Sequence, residues 1–112
     1  MSASAAVKEA IKSAFAACDV ELLGLCRARC WCDGCCVVGV VVDRECSPAR
    51  CYCINLGDSR AFAAVQPDSS SMRAVPLSKD HTAVDAKERK RVLSAGGFVE
   101  GGRVCGSIEV TR

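Results

Sequence analysis

The chain has 112 residues and a formal net charge of +2, and half of its residues are apolar. This length allows one domain at most, and the apolar fraction excludes a disordered chain. No stretch approaches the roughly 18 apolar residues that a membrane span requires, and the small charge gives no argument for nucleic acid. We therefore expect neither a membrane nor a nucleic acid as a partner.

The N-terminal residues do not resemble a secretory signal, because Lys8, Glu9 and Lys12 interrupt any apolar core. A cytoplasmic or nuclear location is expected. The ten cysteines are then predicted to be mostly reduced, small, buried side chains in a reducing compartment. Disulfide geometry also disfavours pairing of the neighbours Cys35 and Cys36, or of Cys51 with Cys53 on one strand face.

Zinc is the alternative interpretation of these thiols, because Cys32-Asp-Gly-Cys35 has the spacing of a zinc knuckle. A closed tetrahedral site needs a second pair of ligands. The nearest candidates, Cys51 and Cys53, are spaced for a strand rather than for a knuckle. Buried or incidental thiols are therefore favoured over zinc.

In the first half of the chain, apolar residues at three- and four-residue steps predict an amphipathic helix over residues 4–24. An aperiodic segment, 25–34, ends in an Asp-Gly turn signal. The valine-rich run 35–42 predicts a strand covered on both faces, and residues 51–56 predict a second strand.

The second half is predicted to continue with strands before and after a helix. Thr82 and Asp85 resemble a capping box, and Gly96 stands where a helix-ending glycine belongs. Before this helix we expect a strand over 60–65, a loop over 66–71 and a short exposed strand over 72–77; after it we expect a half-buried strand over 103–112. This order predicts an α+β fold with a mainly antiparallel sheet.

Three features could carry chemistry. His81 follows Asp80, but no serine or cysteine stands in a nucleophile context, so a structural histidine is favoured. The basic run 87–91 contains Glu88 and no aromatic residue, which is typical of a solvated helix face. Asp58 follows a strand at a glycine-permitted break, where carboxylates often bind Mg²⁺ or Mn²⁺, although an Asx turn explains the same pattern and is favoured by spacing alone.

Taken together, these motifs resemble the metal-dependent protein serine/threonine phosphatases of the protein phosphatase 2C family. The segments occur in the family's order along the chain. The first is Gly34 to Val38, which has cysteines where the family has hydroxyl residues, and the second is the Asn-x-Gly-Asp-Ser-Arg turn of Asn55, Gly57, Asp58, Ser59 and Arg60. The third is Leu77 to His81, which includes Asp80. The last two are the helix end with Glu88, Arg91, Gly96 and Gly97, and the segment Arg103 to Arg112.

The resemblance implies an α/β sandwich of antiparallel sheets flanked by helices, of which this chain would form an incomplete, central part. It also implies hydrolysis of phosphoserine and phosphothreonine in phosphoproteins by a water activated by Mn²⁺ or Mg²⁺. Only Asp58 corresponds to a family metal ligand, at an additional, weaker site, and no catalytic residue carries over. The other named motif residues are expected to be structural or near the site.

The family's other metal-binding aspartates have no counterpart in this sequence. We therefore expect the chain to be a fragment that is inactive alone and binds no metal tightly. The alternative is a non-catalytic remnant that acts as an interaction or regulatory module, with a protein partner covering its exposed strands.

Overall fold

A computed structural model describes residues 3–68 and 71–112. The chain divides into two compact units, residues 1–34 and 35–112. No helix in the described part of the chain is long and apolar enough to cross a membrane. The predicted loop over 66–71 includes residues 69–70, which lie outside the described residues.

Helix α1 (Ala3–Arg29) dominates the first unit. It is confirmed where the apolar periodicity predicts it, but it continues five residues past the predicted end at 24. The left-handed Cys30 (φ 54°) ends it, and the amide of Trp31 donates to the carbonyl oxygen of Cys26 at 2.9 Å. The predicted aperiodic segment is wrong over 25–29, because helix formation continues without an apolar stripe until this cap.

The second unit contains six short strands and one helix among its described residues. These are β1 (Val37–Asp43), β2 (Arg50–Leu56), β3 (Phe62–Val65), β4 (Arg73–Pro76), α2 (Ala86–Ser94), β5 (Val99–Glu100) and β6 (Arg103–Val104). The strands pair antiparallel as three separate ribbons, β1–β2, β3–β4 and β5–β6. The α+β class is confirmed, whereas the sandwich stays a prediction.

The longest ribbon pairs Val37 with Leu56 at one end and Asp43 with Arg50 at the other. Strand β1 is not covered on both faces as predicted, since Val40 and Val42 are 47% and 51% exposed. A run of valines predicts a strand whose faces are buried, but burial requires other elements to pack against those faces. Only one neighbouring strand pairs with β1 in the part of the chain that the structure describes.

The prediction that most thiols are buried is also wrong. All ten cysteines are free, and Cys26 alone is buried; Cys36 and Cys46 are half-buried and the other seven are exposed. Composition identified small apolar side chains, but burial needs covering layers. The described ribbons do not supply those layers.

Helix α2 begins one turn later than the predicted capping box at Thr82. Its N-cap is Asp85, whose carboxylate accepts hydrogen bonds from the amides of Lys87 and Glu88. Gly96 is confirmed as the glycine after the helix end, with φ +83°. Its amide and that of Gly97 donate to the carbonyl oxygens of Leu93 and Val92, which is a Schellman motif.

The predicted strand over 103–112 is wrong as a continuous element. Only Arg103 and Val104 form a strand, because Cys105 and Gly106 take positive φ values of 50° and 72° and turn the chain. The chain then forms single bridges, one from Ile108 to Val104 and another from Val110 to Thr82. The second bridge brings the end of the chain beside the start of α2.

Candidate functional site

The turn after β2 is set by a close backbone approach at Gly57. Its φ is +101°, a left-handed conformation that glycine adopts without a side-chain clash. A Cβ atom at this position would lie 2.2 Å from Cys36 Sγ. Glycine is therefore required here both by the conformation and by the space available.

Asp58 lies exposed at the outer side of this turn. The thiol of Cys36 donates to Asp58 Oδ1 at 3.4 Å across a sequence separation of 22 residues. Cys36 therefore supports the candidate site at two points, by contact with Gly57 and by its bond to the carboxylate. The sequence gives no signal for this role, since nothing local links the two residues.

The turn is held against the segment that precedes α2. The Asn55 side-chain amide donates to the Lys79 carbonyl oxygen at 2.7 Å. The Gly57 amide donates to His81 Nδ1 at 3.2 Å, and the His81 amide donates back to the Gly57 carbonyl oxygen at 2.9 Å. His81 is thus the structural histidine that its sequence context favours, with Nδ1 as the acceptor nitrogen.

A bidentate ion pair supports the same junction. Arg60 donates from Nε and Nη2 to the two oxygens of Asp80 at 2.9 and 2.7 Å. This hydrogen bonding lowers the pKa of Asp80 and raises that of Arg60. Beside it, the Ala61 amide donates to Ser78 Oγ at 2.9 Å, a contact that the motif of residues 77–81 does not predict. Ser59 is half-buried within the turn.

A second cluster forms where the C-terminal residues Thr111 and Arg112 meet Glu88 of α2. Glu88 is only 7% exposed although it stands in a basic run, so the predicted solvated face is wrong at this position. Its carboxylate accepts from Arg112 Nη2 and Thr111 Oγ1, both at 2.8 Å, and from Arg91 Nε at 3.3 Å. These bonds, those from Arg112 above all, lower the pKa of Glu88 to about 2.

An open groove of about 630 Å³ lies beside the Arg60–Asp80 pair. It also contains an ion pair between Lys79 and Asp85, whose hydrogen bond lowers the pKa of Asp85 to about 2. The remaining walls include apolar side chains such as Phe62 and Val84. Each charged side chain of the groove is thus paired with another.

The described residues do not assemble the ligands of a metal pair. Within residues 3–68 and 71–112, no three His, Cys, Asp or Glu side chains are grouped so that they could hold an ion. Asp58 offers one carboxylate, while the nearby Asp80 is engaged by Arg60. A binuclear Mn²⁺ or Mg²⁺ centre therefore does not fit this set of residues alone.

The structure brings the predicted site residues together in two groups. The first group meets at the turn that carries Asp58 and consists of Asn55, Gly57, Arg60, Asp80 and His81. Glu88 and Arg91 belong to the second cluster, and Gly96 and Gly97 end α2 beyond it. Sequence reasoning missed the contributions of Cys36 and Ser78 and the contact of Thr111 with Glu88, because each depends on a partner distant in sequence.

The family model for protein phosphatase 2C matches residues 1–112. The chain therefore belongs to the protein phosphatase 2C family. It is 32% identical over 106 residues to protein phosphatase 2C homolog 2 of Aspergillus fumigatus, covering 95% of this chain and 23% of that protein. No solved structure is significantly similar to the chain.

Higher identity occurs over shorter segments. The integrin-linked kinase-associated serine/threonine phosphatase 2C of Bos taurus is 45% identical over 62 residues, 54% of this chain and 17% of that protein. Protein phosphatase 2C homolog 3 of Schizosaccharomyces pombe is 41% identical over 63 residues, 56% of this chain and 14% of that protein. The chain thus spans less than a quarter of the length of these relatives.

Proposed function

We propose that this chain forms the central part of a protein serine/threonine phosphatase domain that hydrolyses phosphoserine and phosphothreonine in phosphoproteins. The match of the family model over residues 1–112 carries the proposal. In such a domain, Mn²⁺ or Mg²⁺ would supply the activated water. A cytoplasmic or nuclear location, without a membrane or nucleic acid partner, belongs to the same proposal.

Asp58 is the residue that we assign to the metal site, at an additional, weaker position. The hydrogen bonds of the turn support this assignment. The Gly57 amide donates to the His81 ring, the His81 amide donates to the Gly57 carbonyl oxygen, and the Asn55 side chain donates to the Lys79 carbonyl oxygen. A carboxylate on a fixed backbone keeps its ligand geometry, which hard cations require. The Arg60–Asp80 pair supports the same backbone without contributing a ligand.

We further propose that the 112-residue chain alone has no phosphatase activity. One carboxylate cannot hold a metal pair, and the described residues contribute no further group of ligands. Purified chain should therefore release no phosphate from a phosphothreonine peptide in the presence of Mn²⁺. Manganese-dependent release that is lost in Asp58→Ala, but kept in the exposed control Asp68→Ala, would overturn this.

The endogenous protein tests the phosphatase proposal itself. An antibody against residues 97–112 would capture it, and intact mass and manganese-dependent hydrolysis would be measured on the same sample. A species much heavier than 11.8 kDa with activity supports the proposal. A heavier species that is inert towards a panel of phosphoserine and phosphothreonine peptides contradicts it.

The alternative function is a non-catalytic module that binds another chain, and a specific observation favours it. Val40, Val41 and Val42 of β1 are all at least 40% exposed, and no third strand among the described residues pairs with this ribbon. An endogenous species of 11.8 kDa that is inert and co-purifies with a stoichiometric partner would favour this module. A sharp, concentration-independent unfolding transition of the chain without a partner would count against it.

A further inference from the structure

Among the described residues of the second unit, Glu88 is the buried charged residue, and its surroundings hold it ionised. Burying a carboxylate is costly unless it is paired and hydrogen bonded. Here Arg112, Thr111 and Arg91 all donate to it. Such charge-assisted bonds are stronger than neutral ones, so the carboxylate, together with the bond from Arg91 Nη2 to the Thr111 carbonyl oxygen, fixes segment 111–112 against α2.

The segment fixed by Glu88 leads directly to the turn of Asp58. The Thr111 amide donates to the His81 carbonyl oxygen at 2.7 Å. The same His81 accepts from the Gly57 amide through Nδ1 and donates its own amide to the Gly57 carbonyl oxygen. Four residues, Glu88, Thr111, His81 and Gly57, therefore form one continuous hydrogen-bonded series, which we call the relay.

His81 is the middle of the relay and is held from both sides. Its backbone carbonyl is fixed by Thr111, while its ring and amide are fixed by Gly57. Because Nδ1 accepts a hydrogen bond, the neutral ring carries its proton on Nε2. A displacement of segment 111–112 would move the His81 carbonyl and, with it, the ring that holds Gly57.

We propose that Glu88 is a positioning residue that, through Thr111 and His81, sets the backbone conformation of the turn carrying Asp58. The role of Asp58 in a metal site rests on the function proposed above. The coupling between Glu88 and the turn does not, since it concerns hydrogen bonds within this chain. It is therefore measurable without metal, substrate or activity.

Hydrogen exchange of single amides in the 112-residue chain provides the test. In Glu88→Ala we expect the exchange rate of the Gly57 amide to rise about tenfold or more, because its local opening becomes easier. The Leu77 amide, which donates to Ala61 outside the relay, is the internal reference and should change less than twofold. Lys90→Ala, an exposed change on the same helix, is the matched control and should move neither amide.

Three further measurements separate positioning from general destabilisation. The ¹⁵N shift of His81 Nδ1 reports whether it accepts a hydrogen bond, and it should move towards the free-acceptor value in Glu88→Ala. Glu88→Gln keeps an acceptor oxygen and should restore part of the protection at Gly57. Thr111→Val removes only the hydroxyl that bonds Glu88 and should raise exchange at Gly57 by a smaller factor.

Unchanged exchange at Gly57 in folded Glu88→Ala would overturn the proposal. Equal acceleration at Gly57 and Leu77 would also overturn it, because that result indicates global unfolding rather than a local relay. If Glu88→Ala does not fold, the exchange rates of the Gly57 and Leu77 amides are compared in Thr111→Val instead. Unchanged exchange at Gly57, or equal acceleration of both amides, would then overturn the proposal. Activity assays play no part in this test, so its failure is distinguishable from failure of the proposed function.

Discussion

Gly57 has a φ of +101° and leaves no space for a Cβ atom beside Cys36. We predict that Gly57→Ala lowers the free energy of unfolding by more than about 2 kcal/mol, since left-handed strain costs roughly 1–2 kcal/mol and the clash adds to it. Urea unfolding followed by circular dichroism measures the change.

The control for this substitution lies on the adjacent strand. Gly39 has open space around its Cβ position, so Gly39→Ala should change the stability by less than about 1 kcal/mol. Adding Cys36→Ala to Gly57→Ala should recover only the part of the clash due to Sγ, because the Cβ of residue 36 would still lie 2.7 Å from the new methyl group. Equal stabilities of Gly57→Ala and the wild type would contradict the structure of the turn.

Glu88 gives the chain a defined acid sensitivity. Its pKa falls from 4.5, the ordinary value, to about 2 in the folded state. A depressed folded pKa stabilises the protein above the unfolded value, and this stabilisation is lost as the pH falls from 4.5 towards 2. We predict that the wild type is more stable than Glu88→Gln at pH 6 and that this difference in free energy of unfolding is smaller at pH 3. Urea unfolding at the two pH values measures it.

Asp68→Asn is the control for this pH dependence, because it removes an exposed carboxylate after β3. Both variants lose one negative charge, so they share the effect on net charge. A difference between Glu88→Gln and wild type that is the same at pH 6 and pH 3 would show that the carboxylate is not held ionised by Arg112 and Thr111.

Residues were predictable from the sequence where a local pattern fixes them. The Gly57 turn follows from its motif, and the structural role of His81 follows from its position before a helix. The buried Glu88 was misassigned to a solvated face, because helix periodicity cannot report that Thr111 and Arg112 return to cover it. The contact of Cys36 with Asp58 likewise depends on the folded chain.

At the scale of the elements, the N-cap of α2 differs between the sequence prediction and the structure. The structure has Asp85 as N-cap, whereas the capping-box pattern begins at Thr82. We predict that Asp85→Ala costs about 1 kcal/mol of stability, because it leaves two helix amides without their acceptor. Thr82→Ala should cost less than about 0.5 kcal/mol, as expected away from a cap.

Urea unfolding of Asp85→Ala, Asp85→Asn and Thr82→Ala checks this assignment. The asparagine variant keeps a capping oxygen and should retain most of the stability, apart from the weak ion pair with the exposed Lys79. If Thr82→Ala were the more damaging change, the helix would begin at the capping box and the structural assignment of the cap would be wrong.

Strands β1 to β4 and helix α1 were predictable because their apolar patterns are local. The burial of β1 was not, since Val40 and Val42 carry the signal of an interior strand without covering layers. The continuous strand over 103–112 failed for another reason. Cys105 adopts a positive φ that its sequence does not signal, and the alternation of apolar residues continues across the turn.

At the scale of the whole molecule, the chain belongs to the protein phosphatase 2C family, and its described residues contain no group of three side chains that could hold a metal ion. The described part of the second unit consists of three ribbons and one helix, with exposed valines on β1. Its one candidate metal carboxylate is held by a well-bonded turn. As proposed above, the chain supports one carboxylate position and does not by itself hold a metal pair, since no three such ligands are grouped in the described residues.

Electron paramagnetic resonance of the purified chain during a Mn²⁺ titration tests this central claim most directly. We predict at most one weakly bound ion per chain, lost in Asp58→Asn and retained in Asp68→Asn, with no signal from a spin-coupled manganese pair. Two tightly bound, spin-coupled ions per chain would contradict the claim, because they would require a set of ligands that the described residues do not provide.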